Sequence, residues 1–306
     1  MKMRAISIRT TISLLMALML TMLILVVSIT VNAFLTNAVT GIMVRSTTEV
    51  ITQINNNAET YIDGITGIAA YARNLARDTS ALNAEAITER LKAIVSSRND
   101  IVRIDAFDLE GNPLLTTAPS ITPASRDELW FSRAVKGEGD FFFTGPRLQT
   151  LPSGQTGLVI TFSQLISYGD MNRATSSAVL SIDLNFNSIR ELSEDANLAA
   201  SGYIYFISND GEIIYHPNQR EIDNGEFQED LEGVADHVYG TYISQFAGHE
   251  RLTVIQTVNQ TRWRIVGVAM MDEIMDDLGS FQTALLFISA VMIIISIIAT
   301  TIISKH

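Results

Sequence analysis

The chain contains no cysteine. Disulfides, Cys-based metal sites and thiol nucleophiles are thereby excluded, and stability must come from an apolar core. There are only four histidines, and no HExxH, EF-hand, Walker A or nucleophile-elbow sequence occurs. No catalytic residue, metal or cofactor is therefore expected. Basic residues are also scarce, with 21 Lys and Arg against 33 Asp and Glu. Four of the basic ones, Lys2, Arg4, Arg9 and Lys305, lie outside residues 36–280, and no acidic one does. The segment between carries 17 basic and 33 acidic side chains, a net charge of −16. Nucleic acid and anionic lipid heads need clustered Lys and Arg, so neither is an expected partner of that segment.

Charge itself is missing from two long stretches. No charged residue lies between Arg9 and Arg45, or from Leu278 to Ser304. Ile12 to Ile29 and the run around Phe287-Ile288 and Ile293-Ile294-Ile295 are each long enough to cross a bilayer as a helix, which needs about 20 apolar residues. A cleaved signal peptide has a shorter apolar run and a small-x-small site, so a retained anchor is the better reading of the first stretch. Lys2, Arg4 and Arg9 precede the first span and Lys305 follows the second, so both termini are expected in the cytoplasm and the middle outside. The expected location is the plasma membrane, with two passes through the lipid bilayer. About 245 residues between the spans are enough to bury a core without disulfides.

Beyond the first span, Ile51, Ile54, Ala58, Tyr61, Ile65, Ile68, Ala72 and Leu75 recur at alternating spacings of three and four. That is the seam of a long helix, which needs either the globular part beside it or the same helix of a second subunit, and a homodimer is expected on this ground. Past Asp78 the pattern changes and is nearly stated twice. Ile101–Phe107, a turn at Asp108–Pro113 and Leu114–Thr116 predict a hairpin; so do Tyr203–Ile207, Asn209–Glu212 and Ile213–Tyr215. Each hairpin is followed by two further predicted strands and a helix. These are Gly157–Phe162, Ala178–Leu184 and a helix near Phe186–Leu192, then Arg251–Ile255, Trp263–Ala269 and Asp272–Leu278. Two copies at this length are tandem domains rather than a solenoid.

These features resemble the double Cache, or tandem PAS-like, extracellular sensors of bacterial receptors. The stretch Asp127-Glu128-Leu129-Trp130-Phe131-Ser132-Arg133-Ala134 looks like the pocket-helix motif of that family. Phe142–Gln149, Leu180–Phe186, Gly202–Phe206, Gly211–Pro217 and Arg262–Val268 are similar to the sensor histidine kinases of the YesM type in Firmicutes. The resemblance implies an α+β fold: a long N-terminal helix, then two tandem PAS-like (Cache) modules with antiparallel sheets, flanked by two transmembrane helices. The implied division is a cytoplasmic start at 1–10, a span at 11–35 and an extracellular helix at 36–78. A membrane-distal, ligand-binding module at 79–195 and a proximal one at 196–276 follow, then a second span at 277–304 and the start of a cytoplasmic part at 305–306. No kinase segment is present, so the chain reads as the non-enzymatic sensing and signalling region of a two-component histidine kinase. A chemotaxis receptor or diguanylate cyclase carries the same module, and a partner-protein sensor without a small-molecule ligand is the alternative of another class.

In this family the distal module binds a small molecule. The resemblance places Trp130 and Phe131 at the family's aromatic pair, and Asp183 where relatives place an acid that meets a ligand amine. Amino-acid-binding relatives carry an Arg two residues before the Trp; Glu128 stands there, and the nearest Arg on that side is Arg126. That exchange argues against a simple amino acid and leaves the ligand's identity open among sugars, peptides, amines and cationic metabolites. Arg147, after the run containing Phe143, could supply a cation from another side. His216 before Pro217 reads as a structural histidine, and His306 as an end residue rather than a phosphoacceptor.

Overall fold

A computed structural model describes residues 8–77, 83–119, 123–137, 140–151, 154–169, 176–194, 198, 202–235 and 237–305. Lys2, Arg4, His306 and the expected boundaries at 78/79 and 195/196 lie outside the described residues. The order begins with α1 (Ile8–Arg77), α2 (Ala84–Ser97), β1 (Ile101–Phe107), β2 (Pro113–Thr116), α3 (Leu129–Lys136), β3 (Phe141–Thr150), β4 (Thr156–Tyr168), β5 (Ser176–Asn185) and α4 (Phe186–Glu194). It continues with β6 (Tyr203–Ile207), β7 (Ile213–Tyr215), α5 (Gln219–Asp223), α6 (Leu231–Ala235), β8 (Gly240–Phe246), β9 (His249–Thr257), β10 (Arg264–Met270) and α7 (Met271–Lys305).

The chain divides into two compact units. One, built from residues up to 47, 243–252 and 270 onward, holds the two uncharged helical stretches. Both are long and apolar enough to cross a membrane. Within it Ser289 donates from its hydroxyl to Ser28 Oγ at 3.4 Å, and His249 Nδ1 lies 3.2 Å from Asp272 Oδ2. The other unit, 48–242 and 253–269, holds the first module and the second apart from residues 243–252 at the β8–β9 turn. Their five-stranded antiparallel sheets run β2-β1-β5-β4-β3 and β7-β6-β10-β9-β8, the same order twice. The duplicated hairpins are as expected, but each sheet has one strand more than the sequence reading assigns, β3 and β8. β3 carries Gly145 and Pro146 in an irregularity of register between Thr144 and Arg147.

In α1 the buried apolar positions from Ile51 onward are Ile51, Ile54, Ala58, Ile62, Ile65, Ala69, Ala72, Leu75 and Ala76. Tyr61 and Ile68, expected on the seam, are only partly buried, because a 3.6-residue turn drifts away from a strict 3.5 repeat. The stripe is occupied within the chain. Ile51 fills the space left by the absent side chain of Gly267, Thr52 Oγ1 accepts from Gln256 Nε2, and Glu59 Oε1 accepts from Asn259 Nδ2 at 2.6 Å. The seam therefore provides no argument for a second subunit.

The hairpin turns are built alike with different caps. In the first, Asp108 Oδ1 accepts from the Glu110 and Asn112 amides; in the second, Ser208 Oγ accepts from those of Asp210 and Glu212. Gly111 and Gly211 both take positive φ, +89° and +84°. A Cβ at Gly111 would also stand 2.3 Å from the Ala124 carbonyl oxygen, whereas nothing lies within 4 Å of one at Gly211. Gly211→Ala should cost about 1–2 kcal/mol through backbone strain alone. Gly111→Ala should cost clearly more, as a larger fall in thermal midpoint; equal falls would show that the Ala124 contact yields freely.

Candidate functional site

One face of the first sheet is polar where a core would be apolar. Asp105, Thr161, Ser163, Ser181 and Asp183 are all buried on β1, β4 and β5. The register sets Asp183 opposite Arg103 and Thr161, and Asp105 opposite Ser181 and Thr116, so alternation brings these side chains to one face. Burying a polar layer is costly unless it is bonded, and here nearly all of it is.

Asp183 is the hub. Its carboxylate accepts from Arg103 Nε at 2.8 Å, from Arg147 Nη2 at 2.8 and 3.0 Å, and from Thr161 Oγ1 at 2.7 Å. Arg147 also donates from Nε to Thr161 Oγ1 and from Nη1 to Gln149 Oε1, both at 2.7 Å. Its guanidinium carbon stands 5.6 Å from the centre of the Trp130 ring, a cation–π arrangement. Trp130 in turn donates its indole N–H to Glu128 Oε2, and its carbonyl accepts from Ser163 Oγ at 2.8 Å, tying the start of α3 to β4. Glu128 holds the N-cap position of α3 but makes no side-chain cap bond there.

Asp105 is the strained member. Thr116 Oγ1 donates to its Oδ1 at 2.8 Å. Its Oδ2 lies 2.9 Å from Arg103 Nε, yet that N–H is directed at Asp183, and Oδ2 has no hydrogen-bond donor. Burial pushes the Asp105 carboxyl up to about 6, against the pull of Arg103 and Thr116 and with the nearby Asp183 charge adding to the rise.

Of the residues anticipated from sequence, Trp130, Glu128, Arg147 and Asp183 come together. Phe131 belongs to the apolar cluster of Phe107, Ala124, Trp130, Ala134 and Val179, with its ring edge-on to Trp130 at 5.6 Å. Two of the expected residues, Arg126 and Phe143, stand apart from this cluster. Arg126 is exposed on the turn before α3 and has no part in the cluster. Phe143 packs on Phe141, Phe162 and Trp263 instead, since it shares Phe162's side of the strand pair and not that of Thr161. Arg147 is no surface residue. Arg103, Asp105, Thr116 and Thr161 were not anticipated, although Arg103-Ile104-Asp105 places two charges on one side of an otherwise apolar strand. In the second module His216 is buried between Glu229, 3.2 Å from Nε2, and the Asn218 amide, which donates to Nδ1, as a structural histidine would be.

Two successive sheets of identical order with a long helix along them, and a buried ionic site beneath the short helix of the first, define a tandem sensor module. The chain belongs to the Cache domain family, whose profile matches residues 32–278. It is 24% identical over 224 residues to the methyl-accepting chemotaxis protein McpA of Bacillus subtilis, covering 72% of this chain and 32% of McpA. It is 26% identical over 166 residues to a probable methyl-accepting chemotaxis protein of Bacillus thuringiensis, covering 54% and 23%. The chain thus spans a third or less of these relatives, which are chemotaxis receptors and not YesM-type kinases. The ligand-binding domain of the Pseudomonas fluorescens chemoreceptor CtaA in complex with L-isoleucine has a similar structure, with TM-score 0.56, 17% identity, and 79% and 98% covered. So does that of the Campylobacter jejuni chemoreceptor Tlp3 with 4-methylisoleucine, with TM-score 0.57, 15% identity, and 76% and 92% covered.

Proposed function

We propose that this chain is the extracellular ligand-sensing and transmembrane region of a methyl-accepting chemotaxis receptor, without catalytic activity of its own, and that a free amino acid binds at the Asp183 site. The observation that carries the reading is the internal ion pair of Arg147 and Asp183 under Trp130. A zwitterion entering there exchanges one pair for two: its carboxylate meets Arg147 and its ammonium meets Asp183. Arg147 thereby offers the cation that Glu128 does not, which answers the objection raised by that position. The amino-acid complexes of CtaA and Tlp3 support the same ligand class.

Opening the pair removes the side-chain tie that links β3 to β5 across β4 and lets the first module shift. β10 passes into α7 with no residue between them, so a displacement reaching the second sheet is delivered straight to the second apolar helix. Signalling is then a shift between two helix packings, bounded by the ligand's differential affinity for them. A chimera of this chain with the cytoplasmic part of McpA, in cells lacking other receptors, should respond to members of a panel of the 20 L-amino acids. It should lose the response with Asp183→Asn. A chimera that reaches the membrane and ignores the whole panel would sink the proposal.

A further inference from the structure

A cavity of about 580 Å³ lies between the two modules, away from the Asp183 site. That is the size of a ligand pocket, and roomier than a single amino acid fills. Its aromatic wall is made by Phe141, Phe142 and Trp263, and four charged residues line it, Arg133, Asp140, Asp210 and Arg262. Two of the charges neutralise each other, since Arg133 Nη2 donates to Asp210 Oδ2 at 2.6 Å across the modules. The remaining two are of opposite sign and stand on opposite modules. Both are exposed, and among the described residues neither the Asp140 carboxylate of the first module nor the Arg262 guanidinium of the second has a protein partner.

Arg262 is also held in an unusual backbone state. Its φ is +57°, in the left-handed region that an arginine adopts at a cost, in a turn closed by its own amide donating to the Val258 carbonyl at 2.8 Å. Glycine would satisfy that turn without strain, and an arginine there places a free guanidinium at the cavity. The other non-glycine residue with positive φ, Ala247, sits at the β8–β9 turn and lines none of the cavities described, whereas the strain at Arg262 is kept at the rim of one.

We infer that this inter-module cavity binds a short zwitterionic peptide, its carboxylate on Arg262 and its amino terminus on Asp140, with side chains against the aromatic wall. Asn209 is on the same lining, where its side-chain amide can pair with peptide groups. Such a ligand spans both modules and draws them together, so it acts on the joint at which Phe143 meets Trp263, ring centres 5.2 Å apart. The inference does not rest on the amino-acid reading of the first site.

Calorimetry on the full chain in nanodiscs with the tripeptide Ala-Phe-Ala tests it. Binding is expected, and should weaken about tenfold or more for the N-acetylated, C-amidated peptide, which lacks both charges. Asp140→Asn and Arg262→Gly should each weaken it to a similar degree, while Arg262→Lys retains much of it. Arg262→Gly removes strain, so a loss of binding there is not a loss of folding. Absent binding, equal binding of the blocked peptide, or unchanged affinity in Asp140→Asn and Arg262→Gly would each overturn the inference. Free phenylalanine binding at this site as tightly as the tripeptide would overturn the peptide class. Because these substitutions touch only the cavity, failure here leaves the Asp183 site standing, and loss of the amino-acid response leaves this one standing.

Discussion

Asp183→Asn should destabilise the first module by about 3 kcal/mol, the largest loss expected from any single substitution of one side-chain charge described above. The carboxylate it removes is fully buried and answers two guanidiniums whose side chains are only 11% and 21% exposed, those of Arg103 and Arg147. Breaking one side of a buried pair costs about 3–5 kcal/mol, because the partner charge stays buried without compensation. The lower end applies here. Asp105 Oδ2 lies 2.9 Å from Arg103 Nε, and Glu128 Oε2 lies 3.9 Å from Arg147 Nη1, so neither cation is wholly abandoned. The exposed Glu89–Lys92 pair on α2 is the contrast: Glu89→Gln should cost about 0.5 kcal/mol or less. Chemical denaturation followed by tryptophan emission measures both, since Trp130 touches the site. Similar costs for the two substitutions would mean that the Asp183 cluster is hydrated and carries no more energy than a surface pair.

The parts of this fold that were legible in advance are those in which one periodicity runs without interruption. The uncharged stretches, the two Asp-Gly or Glu-Gly hairpins and the stripe on α1 all follow a simple pattern, and their elements lie where it places them, the stripe drifting by one residue to Ile62 and Ala69. β3 was hidden because Gly145-Pro146 interrupts it, and a register irregularity carries the strand past them. β8 was hidden for another reason: its residues alternate between exposed and half-buried, with none fully buried, so its apolar signal is weak. The site was legible only by half. Trp130 and Asp183 are recognisable from family likeness, and Arg147 by its charge beside an aromatic run. Arg103 and Asp105 were passed over because a charge within a strand reads as its wet face, and only the cover of α3 makes that face dry. Glu128 misled in the opposite sense. It occupies the place of a ligand clamp in the motif, but its carboxylate accepts from the indole N–H of Trp130, while the cation beside that ring is Arg147 of β3.

The other large effect belongs to Asp105, and its sign is set by burial. An ordinary aspartate titrates near ~3.9; here desolvation raises the carboxyl to about 6, with the Asp183 charge adding to it and Arg103 and Thr116 opposing. The folded chain therefore holds this proton more tightly than the unfolded chain does. Between about pH 4 and pH 6 the native state binds more protons, so stability falls as pH rises. The contribution is fully present below about pH 4 and is lost as pH climbs through about 6, so that by pH 7.5 the fold is weaker by roughly 3 kcal/mol. Asparagine keeps an acceptor for Thr116 Oγ1 and has no proton to lose, so Asp105→Asn should flatten the decline. At pH 7.5 the variant should be the more stable by about 2–3 kcal/mol, and near pH 4 the two should converge. Denaturant midpoints of both chains measured from pH 4 to 7.5 decide it. Parallel curves would mean that Asp105 ionises in the folded chain as it does in water. The asymmetry has a consequence for the site, because ionised Asp105 competes with Asp183 for the single Nε–H of Arg103. Protonating it leaves that donor wholly to Asp183, the residue on which ligand capture is proposed to depend.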